Sequence, residues 1–384
     1  MELVFDIETD GLDATEIHCI VAIDENDNQY TFDIIDDNIL KGLDFLAEAD
    51  KLIGHNIIGF DIPVIKRLHD IDLWDKNKVI DTLVLSRLFN PVREKGHSLK
   101  VWGAKLGVSK DVAPEDFSVY TKDTLKYCIK DVILNKVLFD YLKKESAGFS
   151  KESINLEHYV TYILENQKEN GFKIDIQYAT TLLSELNCKI KQVQEEVHQT
   201  FKPKWIDVKE VKPKLKQDGT LSKSGLTDYE FEDIQSSGNM KPFMRKELVE
   251  FNLGSRKQIG EYLISFGWKP NKFTPTGQPI VDEGTLKNIT HIREAKLIAD
   301  FLLYQKRIAQ ISSWLEAVED DDRVHGSVFS TGAITGRMAH RNPNMAQVPS
   351  VSSPYGKECR ACWVVDKGNK LVGIDASGLE LRLL

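Results

Sequence analysis

The chain opens with Met1-Glu2-Leu3-Val4-Phe5-Asp6-Ile7-Glu8-Thr9-Asp10. Leu3, Val4 and Phe5 form a short apolar run of the kind that makes a buried strand. It ends in two carboxylates two residues apart. Side chains at i and i+2 on a strand share a face, so Asp6 and Glu8 converge on one point. Holding two carboxylates together is unfavourable without a cation, and hard divalent ions with oxygen ligands are the natural match. Taken alone, the pair reads more readily as a solvated strand end. The residues that follow decide between the two.

Working outward, residues 1–7, 17–23 and 28–34 read as three strands separated by turn signals at Asp10-Gly11 and at 24–28. A short amphipathic helix is expected at 40–49, a strand at 52–54 and a helix at 59–69. Residues 79–82 read as a strand running into a helix that stops at Asn90-Pro91, with further helices at 98–106 and 121–144. Three strands in succession, then strands alternating with helices, predict a mixed sheet with helical cover. His55-Asn56 lies where a strand gives way to a helix, and Asp61 falls in that helix's first turn, where the helix dipole favours a carboxylate. On its own Asp61 reads equally as an ordinary helix-start residue. Tyr127 and Asp131 share a face of the long helix by their i, i+4 spacing. The rest of that face is apolar (Leu125, Leu134, Val137, Leu138), and an Asp turned toward a packed sheet requires a partner or a metal. Singly, Asp131 reads equally as a surface residue beside a buried Tyr.

Asp6, Glu8, Asp61 and Asp131, with Tyr127, occur in the order of the DEDD superfamily of 3′–5′ exonucleases, in the version with a Tyr in the third motif. Ile80-Asp81-Thr82-Leu83-Val84-Leu85-Ser86-Arg87-Leu88 and His97-Ser98-Leu99 resemble, more narrowly, the proofreading domain of the replicative polymerases of short-tailed phages. The resemblance implies an RNase H-like fold for residues 1–148 and two Mg²⁺ or Mn²⁺ ions. Asp6, Glu8 and Asp131 would bind one ion, Asp6 and Asp61 the other, and Tyr127 would orient the attacking water. It also places His55 and Asn56 beside DNA. The chemistry suits such ions: phosphodiester hydrolysis needs a hydroxide at neutral pH and relief of charge on the leaving oxygen, and two ions about 4 Å apart supply both.

After Gly148 come helices at 156–170 and 177–200 joined by Gly171-Phe172-Lys173-Ile174-Asp175, a helical hairpin. This stretch resembles the start of the thumb in family A (DNA polymerase I-like) polymerases, and Leu253-Gly254-Ser255-Arg256-Lys257-Gln258-Ile259 resembles its return helix, with Ser255 as N-cap. The segment between them, about 203–250, is Lys- and Gly-rich and weakly periodic, and is expected to be a basic loop. In the phage polymerases an insertion here recruits a thioredoxin as processivity factor. This one is shorter, and a DNA-contacting loop is an equal expectation.

A helix at 292–315 carries Lys306. Thr335-Gly336-Arg337, Pro343-Asn344-Met345-Ala346-Gln347-Val348-Pro349 and the terminal Leu371-Val372-Gly373-Ile374-Asp375-Ala376-Ser377-Gly378-Leu379-Glu380 resemble consecutive elements of the family A polymerase domain. The resemblance puts Arg337, Asn344, Gln347 and Lys306 against primer–template, and Arg and Gln can reach minor-groove acceptors common to every base pair. Residues 371–374 read as a buried strand ending in Asp375. By the same resemblance Asp375 is one of two carboxylates for the metals of nucleotide transfer, Ala376 and Ser377 border the triphosphate, and Glu380 sits against the nucleotide sugar.

The expected fold class is therefore α/β: an RNase H-like exonuclease domain with a mixed sheet (1–148), a mainly α-helical thumb (149–318) and the first strands of a polymerase palm (319–384). The fingers' Lys/Tyr helix and the His-Asp-Glu turn of the family are not in the sequence. One palm carboxylate cannot hold a two-ion centre, so polymerisation is expected to need a second, C-terminal polymerase half or the full-length product. The rival expectations are a free-standing 3′–5′ exonuclease and, from another class, a non-catalytic DNA-binding subunit of the replisome.

Composition is compatible with this. The 384 residues, 41% hydrophobic and 28% charged, are ordinary for a globular protein. No apolar run approaches the roughly 20 residues of a membrane span, and no signal-like segment opens the chain. A cytoplasmic protein is expected, in the host cell if phage-encoded. The net charge of −9 is unevenly spread. Residues 1–50 hold fifteen Asp/Glu and one Lys, a balance of −14, and residues 201–225 hold seven Lys and three Asp/Glu, a balance of +4. The first suits cations and the second phosphate backbones, although a solvated loop would look the same. Five scattered cysteines indicate a reducing compartment. Cys359 and Cys362 form a C-x-x-C, but no second pair at ligand spacing supports a zinc site.

Overall fold

The computed structural model describes residues 1–108, 114 and 116–383, with the side chains of 283, 380 and 383 left aside. The described chain forms two compact units, residues 1–175 with 316–356 and 360–384, and residues 176–315 with 357–359.

The first unit starts with β1 (Glu2–Thr9), β2 (Ile17–Asp24) and β3 (Gln29–Asp33), then α1 (Ile39–Ala47), β4 (Lys51–Gly54), α2 (Asp61–His69), β5 (Val79–Asp81), α3 (Thr82–Phe89), α4 (Leu99–Leu106), α5 (Lys122–Glu145) and α6 (Lys151–Asn170). The sheet order is β3-β2-β1-β4-β5. β1, β2 and β3 are antiparallel, while β4 runs parallel to β1 and β5 parallel to β4. This is the mixed sheet the pattern predicts. The period-2 alternation of β1 sends Leu3, Phe5 and Ile7 into one apolar cluster with residues of α1 and α2. Val4 goes to the other face, into a second cluster with Cys128, Val132 and Leu138 of α5. Ser98 and Thr121 cap α4 and α5 through their side chains, the latter in a capping box with Thr124. Val137, assigned to the packed face of α5 by periodicity, is exposed at 39%. At the end of a helix turn it lies past the edge of the apolar stripe.

α6 ends at Gly171, whose φ of +61° and lack of a Cβ suit a turn that brings it against the His325 ring. β6 (Phe172–Lys173) follows. In the second unit α7 (Ile176–Thr200) leads to β7 (Lys204–Val211), α8 (Asp228–Ser237), β8 (Phe243–Val249), α9 (Arg256–Ser265), α10 (Glu283–Lys287) and α11 (Arg293–Glu316). Ser255 caps α9 by accepting from the Gln258 amide. Phe201, Phe251, Tyr262 and Trp268 anchor the core of this unit, with Phe201 stacked on Phe251 at 4.5 Å.

The segment expected to be a loop at 203–250 is a correction: β7 and β8 pair antiparallel from Lys204↔Val249 to Val211↔Phe243 around a bulge at Asp207/Lys209. Interspersed lysines and a bulge broke the alternation that marks a strand. Trp205 and Leu248 face each other across this ribbon and both stay exposed.

The chain returns to the first unit with β9 (Arg323–Val324), which pairs with β6, and the hairpin β10 (Ser327–Phe329) and β11 (Ala339–Arg341). Arg87 and Arg341 both lie over the Phe329 ring, at 4.9 and 5.2 Å. α12 (Gly356–Ala361) and α13 (Leu379–Leu383) close the order. Residues 371–374 are a second correction. They form no strand, and Leu371, Val372 and Ile374 are 66%, 77% and 95% exposed. No strand among the described residues pairs with them, and four apolar residues do not hold an extended conformation without a ladder.

Candidate active site

The site forms where the parallel strands end. β1 runs on to Thr9, whereas its pairing with β4 stops at Val4↔Ile53, so the β1 edge lies open beyond that point. Gly54 makes the departure possible. A Cβ there would lie 2.0 Å from Ile57 and 3.1 Å from the Phe5 carbonyl oxygen. The chain therefore turns away hard against β1 and starts α2 with Asp61. The Asp61 Oδ1 accepts a hydrogen bond from the Ile7 amide at 3.2 Å, which fills the edge that β4 vacates and sets Asp61 beside the residue between Asp6 and Glu8.

Asp6 and Glu8 project from one face of β1 and are half-buried, between buried Phe5, Ile7 and Thr9. The β1–β2 register shifts between Glu8 and Thr9, a bulge of the kind that re-aims side chains next to functional sites. Ligating atoms of Asp6, Glu8 and Cys128 lie within 4.8 Å of one another. The Cys128 Sγ is 3.6 Å from the Asp6 carbonyl oxygen and 4.0 Å from its Oδ2. Burial, with Cys19, Asp6 and Glu8 adding to it, pushes the Cys128 thiol well up, which keeps it a protonated donor. Asp131, three residues on along α5, is buried at 5% exposure, so both sit on the face that α5 turns to β1.

Asp61 is 3% exposed. Burial lifts its carboxyl to about 7, backbone donors at Asp61 itself and Ile7 oppose the rise, and the charge of Asp81 adds to it. An acid removed from water at this cost is a candidate for holding a cation or a proton. The donor set is all carboxylate apart from one protonated thiol. That set suits hard divalent cations such as Mg²⁺ or Mn²⁺, for which the carboxylates of Asp6, Glu8, Asp61 and Asp131 are the candidate oxygen ligands. Among the described residues, the cluster that meets a metal-ligand spacing is Asp6, Glu8 and Cys128, without Asp61 or Asp131. The Tyr127 ring, half-buried, meets Phe117 edge-on at 6.0 Å.

Two side chains that pattern alone gave no role brace these residues. Asp81 caps α3 and also accepts from the amides of Asn56 and Ile58. The Thr82 hydroxyl lies 2.7 Å from Asn135 Oδ1 and 2.9 Å from His55 Nδ1, joining α5 to the loop before α2. The signal available in the sequence was a run of polar residues (Asp81, Thr82) at the end of an apolar strand. Asn56 itself is exposed and holds a left-handed φ of +68°, which Asn tolerates.

Two family descriptions match the chain: 3′–5′ exonuclease over residues 2–147 and DNA polymerase family A over residues 232–384. The chain carries a 3′–5′ exonuclease domain and part of a family A DNA polymerase domain. It is 29% identical over 490 aligned residues to the DNA-directed DNA polymerase of Enterobacteria phage T3, and 28% identical over 484 to that of Escherichia phage T7. Each match covers 100% of this chain and 69% of the phage protein. Among solved structures, the polymerase domain of Pol1 from M. smegmatis, in complex with DNA primer-template and dNTP, matches with a TM-score of 0.64 at 16% identity. That match covers 96% of this chain and 55% of the other, so the fold is shared while the chain spans about half that protein's length.

The polymerase-family residues sit differently from the acids of the exonuclease domain. Arg337 is exposed in the turn between β10 and β11, which closes through the Ala333 amide donating to the Arg337 carbonyl at 3.0 Å. Asn344 is exposed and caps the short 3₁₀ turn Met345–Gln347 through the Ala346 amide, and Gln347 is exposed in that turn. Lys306 lies on the exposed face of α11, one residue before the buried Arg307. Asp375, Ala376 and Ser377 are exposed in irregular backbone, and the side chain of Glu380 lies outside the described residues. The structure therefore gathers Asp6 with Glu8, ties Asp61 to β1 and buries Asp131 on α5. It does not bring the 375–377 segment into a pocket.

Proposed function

We propose that residues 1–148 form a divalent-metal-dependent 3′–5′ exodeoxyribonuclease that proofreads for a family A polymerase. The observation carrying this is the pairing of Asp6 and Glu8 at metal-ligand spacing toward the C-terminal end of β1, with the buried Asp61 bonded to the Ile7 amide between them and Asp131 buried on the helix packed over the strand. In this reading Asp6, Glu8 and Asp131 hold one Mg²⁺ or Mn²⁺ ion and Asp6 and Asp61 a second. When bound, such ions would supply a hydroxide at neutral pH and relief of charge on the leaving oxygen. The chain's own residues do the rest. Asp61 is fixed by the Ile7 amide and Tyr127 hydrogen-bonds and orients the attacking water. His55 and Asn56, held by Thr82 and Asp81, line the approach of the DNA 3′ end.

The remaining residues are proposed as a thumb (149–318), with Lys204, Lys209, Arg245 and Lys246 of the β7–β8 ribbon contacting the phosphate backbone, and the beginning of a palm (319–384). Arg337, Asn344, Gln347 and Lys306 face primer–template. Asp375 gives one carboxylate for nucleotide transfer, with Ala376, Ser377 and Glu380 around the incoming nucleotide. The family's fingers helix and second palm carboxylate are not among these 384 residues. A thioredoxin-like partner at 203–250 is the other reading of the ribbon, favoured by exposed Trp205 and Leu248. No helix among the described residues is long and apolar enough to cross a membrane, and the proposed place of action is the cytoplasm of a host cell.

The test is degradation of a 3′-labelled single-stranded DNA. Mg²⁺- or Mn²⁺-dependent loss of 3′ nucleotides, stopped by EDTA and restored by added ion, supports the exonuclease. Intact DNA at millimolar ion overturns it. Primer extension with dNTPs by this chain alone would overturn the two-part reading of polymerisation.

A further inference from the structure

We infer that His158, on a helix beyond the residues matched to the exonuclease family, is a positioning residue for the metal centre and acts through Asp81. The inference rests on the exonuclease proposed above.

Asp81 is 1% exposed, and its carboxylate accepts from four backbone amides. Leu83 at 2.8 Å and Val84 at 3.4 Å are ordinary N-cap partners on α3. Asn56 at 2.9 Å and Ile58 at 3.1 Å lie in the loop between β4 and α2. That loop delivers Asp61, and Asp61 in turn is bonded to β1 through the Ile7 amide. Asp81 therefore fixes where α2 begins and how far Asp61 reaches.

Asp81 must itself be held. It stands on β5, the last strand of the sheet, where no further strand accepts its amide. The His158 Nε2 accepts that amide at 2.8 Å. The other ring nitrogen, Nδ1, lies 2.8 Å from the Ile154 carbonyl oxygen. A backbone amide only donates and a carbonyl only accepts, so the ring is the neutral tautomer with its proton on Nδ1. The ring is 2% exposed, and Tyr162, one turn further along α6, stacks on Trp74 at 4.1 Å with 5° between the planes. α6 is seated on the sheet edge by that stack, and its histidine finishes the edge in place of a strand. Removing the acceptor strands a buried N–H, which is a full desolvation loss. Asp81 must then move toward another partner and takes the amides of Asn56 and Ile58 with it. Groups outside the ligand set that fix where a ligand stands tune metal affinity, and here the bonds run from His158 to Asp81 and from Asp81 to the loop that delivers Asp61.

The test uses the full chain and the variants His158→Ala, His158→Gln and His158→Met. Gln places its Oε1 near the position of Nε2 and keeps the acceptor. Met fills similar volume without a strong one. Three readouts are taken: Mn²⁺ binding by calorimetry, the Mg²⁺ concentration for half-maximal exonuclease rate, and hydrogen exchange at the amides of Asn56 and Ile58 in metal-free protein. His158→Ala is expected to weaken Mn²⁺ binding and raise the Mg²⁺ requirement about 10- to 100-fold, with His158→Gln within about threefold of wild type. Protection at the two amides falls in the first and is kept in the second. If His158→Ala does not fold, His158→Met carries the same expectation. Wild-type Mn²⁺ affinity and wild-type protection in His158→Ala or His158→Met overturn the inference, as does an equal loss in His158→Gln. A wild-type chain that binds Mn²⁺ but leaves DNA intact defeats the exonuclease proposal instead, and the binding and exchange readouts still decide the role of His158.

Discussion

Two segments of this chain share a local pattern, an apolar run that ends in an acid: residues 2–8, ending in Asp6 and Glu8, and residues 371–375, ending in Asp375. The first is a strand with β2 on one edge and β4 on the other, and its acids meet a neighbour from α5. The second is irregular and its apolar side chains face solvent. The difference lies in the ladders. An acid at a strand end acquires a fixed direction, a desolvated setting and convergent partners only when the strand that carries it is held in a ladder. A sequence motif states which acid is meant, and the sheet around it decides whether that acid is placed.

The largest expected effect is on chemistry. Asp6→Ala with Glu8→Ala should lower degradation of single-stranded DNA on the order of 10³-fold or more, with an unchanged far-UV circular dichroism spectrum. A residual rate near wild type would mean that the ordered segment does not house the chemistry. Next is packing. Phe5→Ala should cost about 3–5 kcal/mol in denaturant unfolding of the first unit, since Phe5 is fully buried. A small cost would blur the contrast with 371–374.

A smaller effect comes from Asp61. Its carboxyl sits at about 7 in the folded chain against the model-peptide value of about 3.9. Between those limits the folded state holds a proton that the unfolded state has released. In metal-free protein this contribution to stability is full below the unfolded value and is lost as pH rises toward 7. Asp61→Asn should therefore raise the metal-free melting temperature at pH 7 by several degrees and leave it nearly unchanged at pH 4. Thermal melts at the two pH values check this, and equal shifts at both would remove the proton from the account. The smallest effect is a near-zero: Ile374→Ser should change stability by less than about 0.5 kcal/mol, as its 95% exposure requires. A larger loss would show that the segment is packed in solution and would erase the contrast.

Much of the first unit was legible because its signals are local. Strand alternation in β1, the Ser255 cap of the later helix and the i, i+4 pair on α5 each depend on neighbouring residues. Asp6, Glu8, Asp61 and Asp131 were nameable from spacing and from resemblance to an exonuclease family. The bracing by Asp81, Thr82, Asn135 and His158 was not, because those bonds join residues 23 to 77 positions apart, and no periodicity encodes them. Cys128 was hidden for a related reason. On its helix it reads as core, and only the packing of α5 on β1 brings its sulfur near Asp6. The ribbon β7–β8 was masked by its lysines, which a solvent-exposed strand tolerates but a pattern search counts as loop. The strand expected at 371–374 failed in the opposite sense, since its residues carry strand propensity while the partner that would realise it is absent among the described residues.

One helix carries an implication for motion. α6 leans on the edge of the five-stranded sheet through His158 and Tyr162 and also packs along β10. Twenty residues of helix make a rod of about 30 Å, too stiff to bend between its two attachments. A displacement of the short hairpin is thereby passed to the last strand of the sheet as a tilt instead of being absorbed by slack in a linker.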